Sequence, residues 1–263
     1  MNLKYFIWGG SRHVYNYCLN KYGAVGGKII AAPVTEWCRT EEEKIDYLDD
    51  LSVLNMRLEK QEIAVKPSSF GFDFDRIYPL IREGGTNIWN FDAEESWTKD
   101  DYHLLMDSLI EADELRVRKC YQAYLRGEFE VLLNDLKTYG EEYSIRLVRG
   151  AYHQKELKER SGAVFEKKED TDDQFRKMMH YLFYEVKNPV MIATHNKEDF
   201  TWLKGELQDK HEKRKRVKIG QLMGMNDGGS EIVEYVPYGD LRNAIPYLSR
   251  RLIENRSMLR YLL

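Results

Sequence analysis

The chain has 263 residues, 43% of them hydrophobic and 32% charged, which is typical of a globular protein and excludes a disordered or collagen-like one. Lys and Arg number 40 against 44 Asp and Glu, for a net charge of −4. No basic excess drives nonspecific binding to phosphates, so we expect no nucleic-acid partner. Cys18, Cys38 and Cys120 form neither a disulfide framework nor a CxxC metal pattern, which favours a reducing compartment and no bound metal.

The length of the chain and the lack of linkers and repeats predict one folded domain. The opening residues MNLKYFIWGGSRH lack the apolar segment and cleavage site of a signal peptide. The most apolar stretches, such as Val190–Ala193, are too short to cross a bilayer. We find no Pro/Gly/Ser linker and no internal repeat, so residues 1–263 are interpreted as a single domain. A single α/β barrel of about 250 residues fits this length.

Short β-rich segments alternate along the chain with longer segments of helical spacing. The β-rich segments are Lys28–Ala32, Glu62–Lys66, Thr86–Asp92, Leu115–Tyr121, Ser144–Val148, Val190–Thr194, Val217–Leu222 and Ile232–Val236. The clearest helical segments are Asp46–Leu58, Tyr102–Leu109 and Asp172–Val186. Alternation of this kind predicts βα units and a parallel sheet. Eight strands in a chain of this length indicate an α/β fold closed as a (β/α)8 TIM-type barrel.

Polar side chains stand at the carboxyl ends of the predicted strands. They are Lys66, Asp92, Gln122, Arg146, Thr194, His195, Asn196, Gln221 and Tyr235. In a barrel these ends converge on one rim, where active sites lie, so the set favours one shared site over scattered loop residues. His195 could act as a general base or a metal ligand, but a hydrogen-bonding role is favoured for a single loop histidine.

The last helical segment carries a second cluster. Tyr247, Arg250, Arg251 and Glu254 share one helical face. Two adjacent arginines beside a tyrosine suit a carboxylate, because the guanidinium fork binds it in bidentate fashion. The same spacing is equally compatible with a solvated helix bearing an Arg–Glu pair.

Other motifs indicate less. The basic run at positions 210–216 is favoured as a solvated helix end over a nucleic-acid patch. We find no glycine-rich nucleotide loop, no zinc motif and no GxSxG elbow. Glu94 and Glu95 could form a carboxylate pair, although an exposed helix start is the favoured interpretation.

Taken together, a series of motifs resembles the proline dehydrogenase family from about Val65 to the end of the chain. The motifs, in the family's order, are VKPSSFG (65–71), FDAEE (91–95), YQAYL (121–125), RLVRGAY (146–152), ATHN (193–196), GQLMGM (220–225), YVPYG (235–239) and PYLSRRLIEN (246–255). The residues of the last two motifs are most similar to those of the free-standing, eukaryote-like branch of the family. The first predicted strand region matches only loosely, and there Glu36 is similar to the acidic partner of the arginine pair.

The resemblance implies a site for the substrate L-proline. The residues that would hold its carboxylate are Lys66, Arg250 and Arg251, with Asp92 in the same polar cluster. The residues that would pack around its ring are Tyr152, Leu222, Tyr235 and Tyr247, with Ala151 beneath. The catalytic set would be Lys66, Asp92, Arg146, Tyr235, Arg250 and Arg251.

The resemblance also implies the cofactor FAD. Arg146 would lie beside the flavin N5, and Glu254 would lie at the flavin or hold the arginine pair. The further FAD-binding residues would be Gln122, Thr194, His195 and Asn196. The last helix would cap the active-site rim, and a helical arm that usually precedes the barrel would be reduced or missing.

The activity implied is oxidation of L-proline to Δ1-pyrroline-5-carboxylate, with electrons passed to a quinone and peripheral contact with a membrane. The expected location is the cytoplasmic face of the inner membrane in a bacterium, or the matrix side of the mitochondrial inner membrane in a eukaryote. Three alternatives stay open: a hydroxyproline dehydrogenase, a catalytically silent barrel and a phosphate-binding barrel hydrolase. A tyrosine at position 235, which would crowd a C4 hydroxyl, favours proline as the substrate.

Overall fold

In a computed structural model of the chain, parallel strands surround a central axis. The residues that the structure describes are 6–23, 25–83, 85–112, 116–141, 143–160, 162–225, 229–240, 242–245, 247 and 249. The strands among them are β1 (Ile7–Trp8), β2 (Ile29–Pro33), β3 (Glu62–Val65), β4 (Ile88–Phe91), β5 (Val117–Gln122), β6 (Ser144–Val148), β7 (Val190–Ala193), β8 (Val217–Leu222) and β9 (Ile232–Gly239).

Strands β2 to β9 form a closed parallel barrel. Each of them pairs with the next in chain order, and the circle closes where Ile29 of β2 lies opposite Glu234 of β9. On its other side β9 pairs with β8, and beyond the end of β8 it pairs with β1 at Ile7. The (β/α)8 TIM-type fold predicted from the sequence is therefore confirmed, with a short extra strand beside β9.

Helices cover the outside of this barrel. They are α1 (Ser11–Tyr22), α2 (Glu41–Arg57), α3 (Phe74–Arg82), α4 (Lys99–Glu111), α5 (Glu128–Tyr139), α6 (His153–Glu159), α7 (Lys168–Tyr184) and α8 (Lys197–Asp209). Helix α2 begins before the apolar periodicity that predicted it, because a capping box starts it: the Thr40 hydroxyl accepts from the Glu43 amide, and the Glu43 carboxylate accepts from the Thr40 amide. Within the described residues, no helix has the length and apolar character to span a membrane.

Helix α1 lies against the outer face of β9. The hydroxyl groups of Tyr17 and Tyr22 donate to the buried Glu234 carboxylate at 2.7 and 3.0 Å, and Lys21 pairs with it at 2.8 Å. The helix before the first barrel strand thus covers the strand that ends the barrel.

The chain after β9 turns onto the carboxyl-end rim instead. Residues 242–245, 247 and 249 are helical. The side-chain Nδ2 of Asn243 donates to the hydroxyl of Thr35, which lies just beyond the end of β2, at 3.2 Å. Ala244 and Tyr247 are buried against Phe6 and Val34. The described part of the last helix therefore caps the rim, as the sequence predicts.

Along each strand, side chains alternate between the outside and the inside of the barrel. Ile30, Ala64, Met191 and Val233 form a buried apolar cluster, with Tyr235 packed against it. Polar residues of the same strands lie on either side of this cluster, and those at the carboxyl ends form the site described next.

Candidate active site

The centre of the site is the carboxylate of Asp92, which follows β4. It lies 3.0 Å from Lys66 Nζ, which follows β3, and it also pairs with Nη2 of Arg146 in β6. The Tyr235 hydroxyl in β9 donates to the same carboxylate at 2.8 Å. Side chains from four strands that are distant in sequence thus converge, as predicted, although Arg146 and Tyr235 lie within their strands and not at the ends where the sequence placed them.

Electrostatics hold this cluster in its charged form. Burial opposes the charge of both Lys66 and Asp92, yet the Asp92 carboxylate raises the pKa of Lys66 well above its usual value. In turn Lys66 and Arg146 hold the pKa of Asp92 well below its usual range, despite its burial. The groups are ions in a buried environment, where electrostatic interactions are stronger than in water.

Arg146 has hydrogen-bonding capacity to spare. Its side chain is 4% exposed, and Nη2 serves Asp92. Nε and Nη1 are buried and have no hydrogen-bond acceptor among the described residues. Buried donors of this kind are normally satisfied, so the arginine fits an acceptor-bearing ligand at this end of the barrel.

Glu36 and Tyr152 form the next part of the cluster. Glu36 follows β2 and lies 3.2 Å from Lys66 Nζ, while the Tyr152 hydroxyl donates to it at 3.3 Å. Burial raises the pKa of Tyr152 well above its usual value, and Glu36 adds to the effect, so the phenol stays neutral. The loose match at Glu36 therefore does place an acid beside Lys66.

The loop that carries Ala151 and Tyr152 is held by an aromatic ring. Gly150 has a φ of 119°, a conformation that favours glycine, and an added Cβ would lie 2.1 Å from the Tyr124 ring. The Tyr124 amide also donates to the Arg149 carbonyl at 2.8 Å. The glycine in RLVRGAY is thus required by the close approach of Tyr124, and Ala151 itself is half-buried at the turn.

A second group of predicted residues forms the turn after β7. The Thr194 hydroxyl accepts from the Asn196 amide at 3.1 Å, and Asn196 Oδ1 caps α8 by accepting from the amides of Glu198 and Asp199. Nε2 of His195 lies 3.1 Å from the Leu222 amide at the end of β8. His195 thus accepts a hydrogen bond from the neighbouring strand, and the contact ties Leu222 to this turn.

Some of the remaining predicted site residues lie in the described part of the structure and others do not. Gln122 ends β5, and its side-chain Nε2 donates to the Ala93 carbonyl at 3.1 Å. The Tyr247 hydroxyl lies close enough to Tyr235 to contribute to the raised pKa of the latter, after burial and Asp92. The predicted positions Arg250, Arg251 and Glu254 lie outside the described residues. Within the part that is described, no group of His, Cys, Asp and Glu could hold a metal ion.

The prediction that Glu94 and Glu95 begin an exposed helix was wrong. Both are buried, at 3% and 4% exposure. The Glu94 carboxylate accepts from the Ser68 amide at 2.9 Å and from its hydroxyl at 2.6 Å, whereas Glu95 pairs with Lys155 at 3.0 Å. Glu94 thus binds the segment after β3 and Glu95 binds helix α6, and sequence spacing does not show either partner.

A closed parallel barrel with charged side chains at its carboxyl-end rim is the arrangement found in barrel enzymes. The family profile described as proline dehydrogenase matches residues 20–262. The chain therefore belongs to the proline dehydrogenase family.

Curated relatives agree with this assignment. Human mitochondrial proline dehydrogenase 1 is 27% identical over 194 residues, covering 64% of this chain and 32% of that protein. Rat hydroxyproline dehydrogenase is 32% identical over 204 residues, covering 64% of this chain and 43% of that protein. The chain thus spans about a third to two fifths of these relatives, and the proline dehydrogenases of human, bovine and Dictyostelium origin are named mitochondrial.

Solved structures share the fold. Proline utilization A of Bdellovibrio bacteriovorus superposes with a TM-score of 0.83 at 21% identity, covering 96% of this chain and 32% of that one. Proline utilization A of Corynebacterium freiburgense gives a TM-score of 0.75 at 23% identity, covering 97% of this chain and 31% of that one. The barrel described here thus corresponds to about a third of each larger protein.

Proposed function

We propose that this protein oxidises L-proline to Δ1-pyrroline-5-carboxylate with FAD as cofactor and a quinone as electron acceptor. The observation that carries the proposal is the buried Lys66–Asp92–Arg146 cluster in a chain of the proline dehydrogenase family. The unused donors of Arg146 fit the flavin, because an isoalloxazine ring presents acceptor atoms in its plane. When bound, FAD accepts the hydride that leaves C5 of proline and passes the electrons on.

Lys66 would bind the substrate carboxylate. Its ammonium group has three N–H donors, and Asp92 and Glu36 are the ion-pair partners that take two of them. The third would meet the carboxylate together with Arg250 and Arg251. Fixing one end of a small ring in this way positions C5, and positioning of this kind lowers the barrier by several kcal/mol.

Tyr152, Leu222, Tyr235 and Tyr247 would enclose the ring, with Ala151 beneath it. The cationic groups also favour the neutral form of the ring nitrogen, whose proton must leave before the hydride does. Arg146 would stabilise negative charge that develops on the flavin side of the reaction. Gln122, Thr194, His195, Asn196 and Glu254 would hold the remaining parts of the cofactor.

Hydroxyproline dehydrogenase is the second candidate, because the rat enzyme of that name is 32% identical over the matched part. Tyr235 supports proline instead, since its ring would crowd a C4 hydroxyl. The location we propose is the inner membrane, on its matrix side in a mitochondrion or its cytoplasmic side in a bacterium, through peripheral contact.

The first test is the visible spectrum of the purified protein after addition of FAD. We expect flavin absorbance that bleaches on addition of L-proline, and a higher kcat/KM for proline than for hydroxyproline. Absence of bound flavin would favour a silent barrel, and a clear preference for hydroxyproline would select the second candidate. Inhibition by phosphate in a flavin-free protein would favour the hydrolase instead.

Two further experiments examine the substrate site. Arg250→Met should raise KM for proline steeply while FAD stays bound, because the lost contact is to the substrate carboxylate. N-propargylglycine, which is named as the inactivator of the Bdellovibrio protein, should inactivate this one when FAD is bound. An unchanged KM would contradict the carboxylate assignment.

A further inference from the structure

Arg149 stands in the RLVRGAY motif but has no part in the site described so far. It follows the end of β6, three residues after Arg146, and its side chain lies outside the barrel among helices α7 and α8. Its guanidinium carbon is 4.0 Å from the centre of the Phe175 ring in α7, a stacking contact that fixes the plane of the group. Its surroundings therefore differ wholly from those of Arg146.

Every nitrogen of this guanidinium has an acceptor. Nε donates to Asp172 at 2.6 Å, Nη2 to Asp199 at 2.5 Å and Nη1 to the Thr194 hydroxyl at 3.1 Å. The three acceptors belong to α7, to α8 and to the turn after β7. One planar group thus joins three segments through three separate nitrogens, a spacing that the single nitrogen of a lysine does not reproduce.

The contact with Thr194 settles the direction of its hydroxyl. Oγ1 accepts from Arg149 and from the Asn196 amide, so its own hydrogen points to the Asp199 carboxylate 3.4 Å away. Thr194 is 4% exposed and Asp199 is 2% exposed. The turn at 194–196 therefore has one hydrogen-bonding arrangement as long as Arg149 is in place.

Arg149 also offsets buried negative charge behind this turn. Without Arg149, Asp172 would keep, among the described residues, only Lys168, which is 68% exposed, and the remaining negative charge near the start of α8 would repel an anionic ligand. Arg176 pairs with Asp199 as well, at 3.1 Å, but it is 37% exposed and it binds the α8 carboxylates of Asp199 and Glu198. Arg149 combines charge compensation with a direct contact to the turn.

We infer that Arg149 is a positioning residue for cofactor binding: through Thr194 and Asp199 it holds the 194–196 turn in the conformation that receives FAD. The inference rests on the proposed function, in which Thr194, His195 and Asn196 bind FAD. It adds a residue that would not touch the cofactor itself. Its effect should therefore be on FAD affinity first and on catalysis only as a consequence.

The test is the dissociation constant of FAD, measured by quenching of flavin fluorescence well below the melting temperature. Arg149→Met should raise the dissociation constant about 10-fold or more, the loss typical of a charge-assisted hydrogen bond. Arg176→Met is the matched control, because it removes the other cation on Asp199 without touching Thr194. We expect the control to change the dissociation constant less than about 3-fold.

Additional variants separate positioning from folding. Arg149→Lys keeps the charge and should fold even if Arg149→Met does not, yet it should also weaken FAD binding because one nitrogen cannot lie within hydrogen-bond distance of three acceptors that are spaced to match three guanidinium nitrogens. Thr194→Val should weaken FAD binding less in the Arg149→Met background than in the wild type, since the two changes act on one contact. Wild-type affinity in Arg149→Lys, or equal effects of Arg149→Met and Arg176→Met, would overturn the inference. Failure of the wild type to bind FAD would overturn the proposed function as well, and it would be visible before any variant is made.

Discussion

The barrel contains two layers of buried charge on overlapping strands, one at the amino ends and one at the carboxyl ends of the strands. At the amino ends of the strands, Arg118 in β5 pairs with Glu62 in β3, and Asn90 donates to the same carboxylate at 2.7 Å. At the carboxyl ends, Asp92 joins Lys66 and Arg146. Both layers are almost completely buried, so burial alone does not distinguish them.

The number of unused arginine donors differs between them. Nη1 of Arg118 serves both Glu62 and the Asn90 carbonyl oxygen, which lies 3.0 Å away, and its Nε is buried with no acceptor among the described residues. In the other layer a single carboxylate, Asp92, is shared by two cations and a tyrosine, so Arg146 keeps two donors without an acceptor among the described residues. The layer at the carboxyl ends therefore has the larger unmet donor capacity, and it lies on the rim where barrel enzymes bind their ligands.

Removing the central carboxylate should have the largest effect. Asp92→Ala leaves Lys66 and Arg146 as buried cations without their shared partner, so we expect kcat/KM for proline to fall about 1000-fold, equivalent to about 4 kcal/mol. Glu62→Ala is the matched change in the other layer. It should lower the free energy of unfolding by about 3 kcal/mol, while the folded protein keeps kcat/KM within about 3-fold. A comparable loss of kcat/KM in both variants would contradict the distinction between the layers.

The second prediction concerns stability. Arg118→Met should lower the free energy of unfolding by about 3 to 5 kcal/mol, because Glu62 becomes an unpaired buried charge. Adding Glu62→Leu should restore most of that loss, since an apolar pair of similar volume needs no partner. Urea denaturation followed by circular dichroism measures both variants. If the double variant is no more stable than the single one, the layer at the amino ends stabilises the fold through more than the balance of charge between Arg118 and Glu62.

The sequence allowed much of this fold to be predicted. Strand alternation and eight β-rich segments indicated the closed barrel, and polar residues at strand ends indicated Lys66, Asp92, Arg146 and Tyr235 as neighbours. These predictions succeed because parallel strands of a barrel have their carboxyl ends on one rim, whatever their separation in sequence.

Other features depend on which partner a side chain finds, and periodicity does not carry that information. Glu94 was expected at an exposed helix start, but Ser68 in a different loop buries it through two hydrogen bonds. Arg149 belongs to a motif that was recognised, yet its contacts with α7 and α8 follow only from their packing. The extra strand β1 is two residues long and too short to produce a pattern.

The third prediction is the pH dependence of stability, and it concerns Glu94, which lies beside the layer of charge at the carboxyl ends of the strands. Burial raises the pKa of Glu94 from its usual 4.5 to about 7, against the opposing effects of Lys66 and Ser68. The folded state therefore binds more protons than the unfolded state between these values, so stability falls as pH rises from about 4.5 to 7. Glu94→Gln cannot ionise, and we expect its stability relative to the wild type to increase by about 2 to 3 kcal/mol over this range. A difference that stays constant from pH 4.5 to 8 would contradict the raised pKa.

The smallest expected effect separates the inner from the outer face of β9. Tyr235→Phe removes one neutral donor from Asp92, which keeps Lys66 and Arg146, so kcat/KM for proline should fall only about 10-fold. Tyr238→Phe is the matched control, because the Tyr238 hydroxyl donates to Asp50 at 2.5 Å on the other side of the strand. Both variants should lose about 1 kcal/mol of stability, since each gives up one buried hydrogen bond. Steady-state kinetics should then detect a change in Tyr235→Phe alone, because only the inner hydroxyl contacts the carboxylate that arranges the cations. Equal kinetic losses would mean that β9 acts as a rigid whole, and that the donor to Asp92 has no specific role.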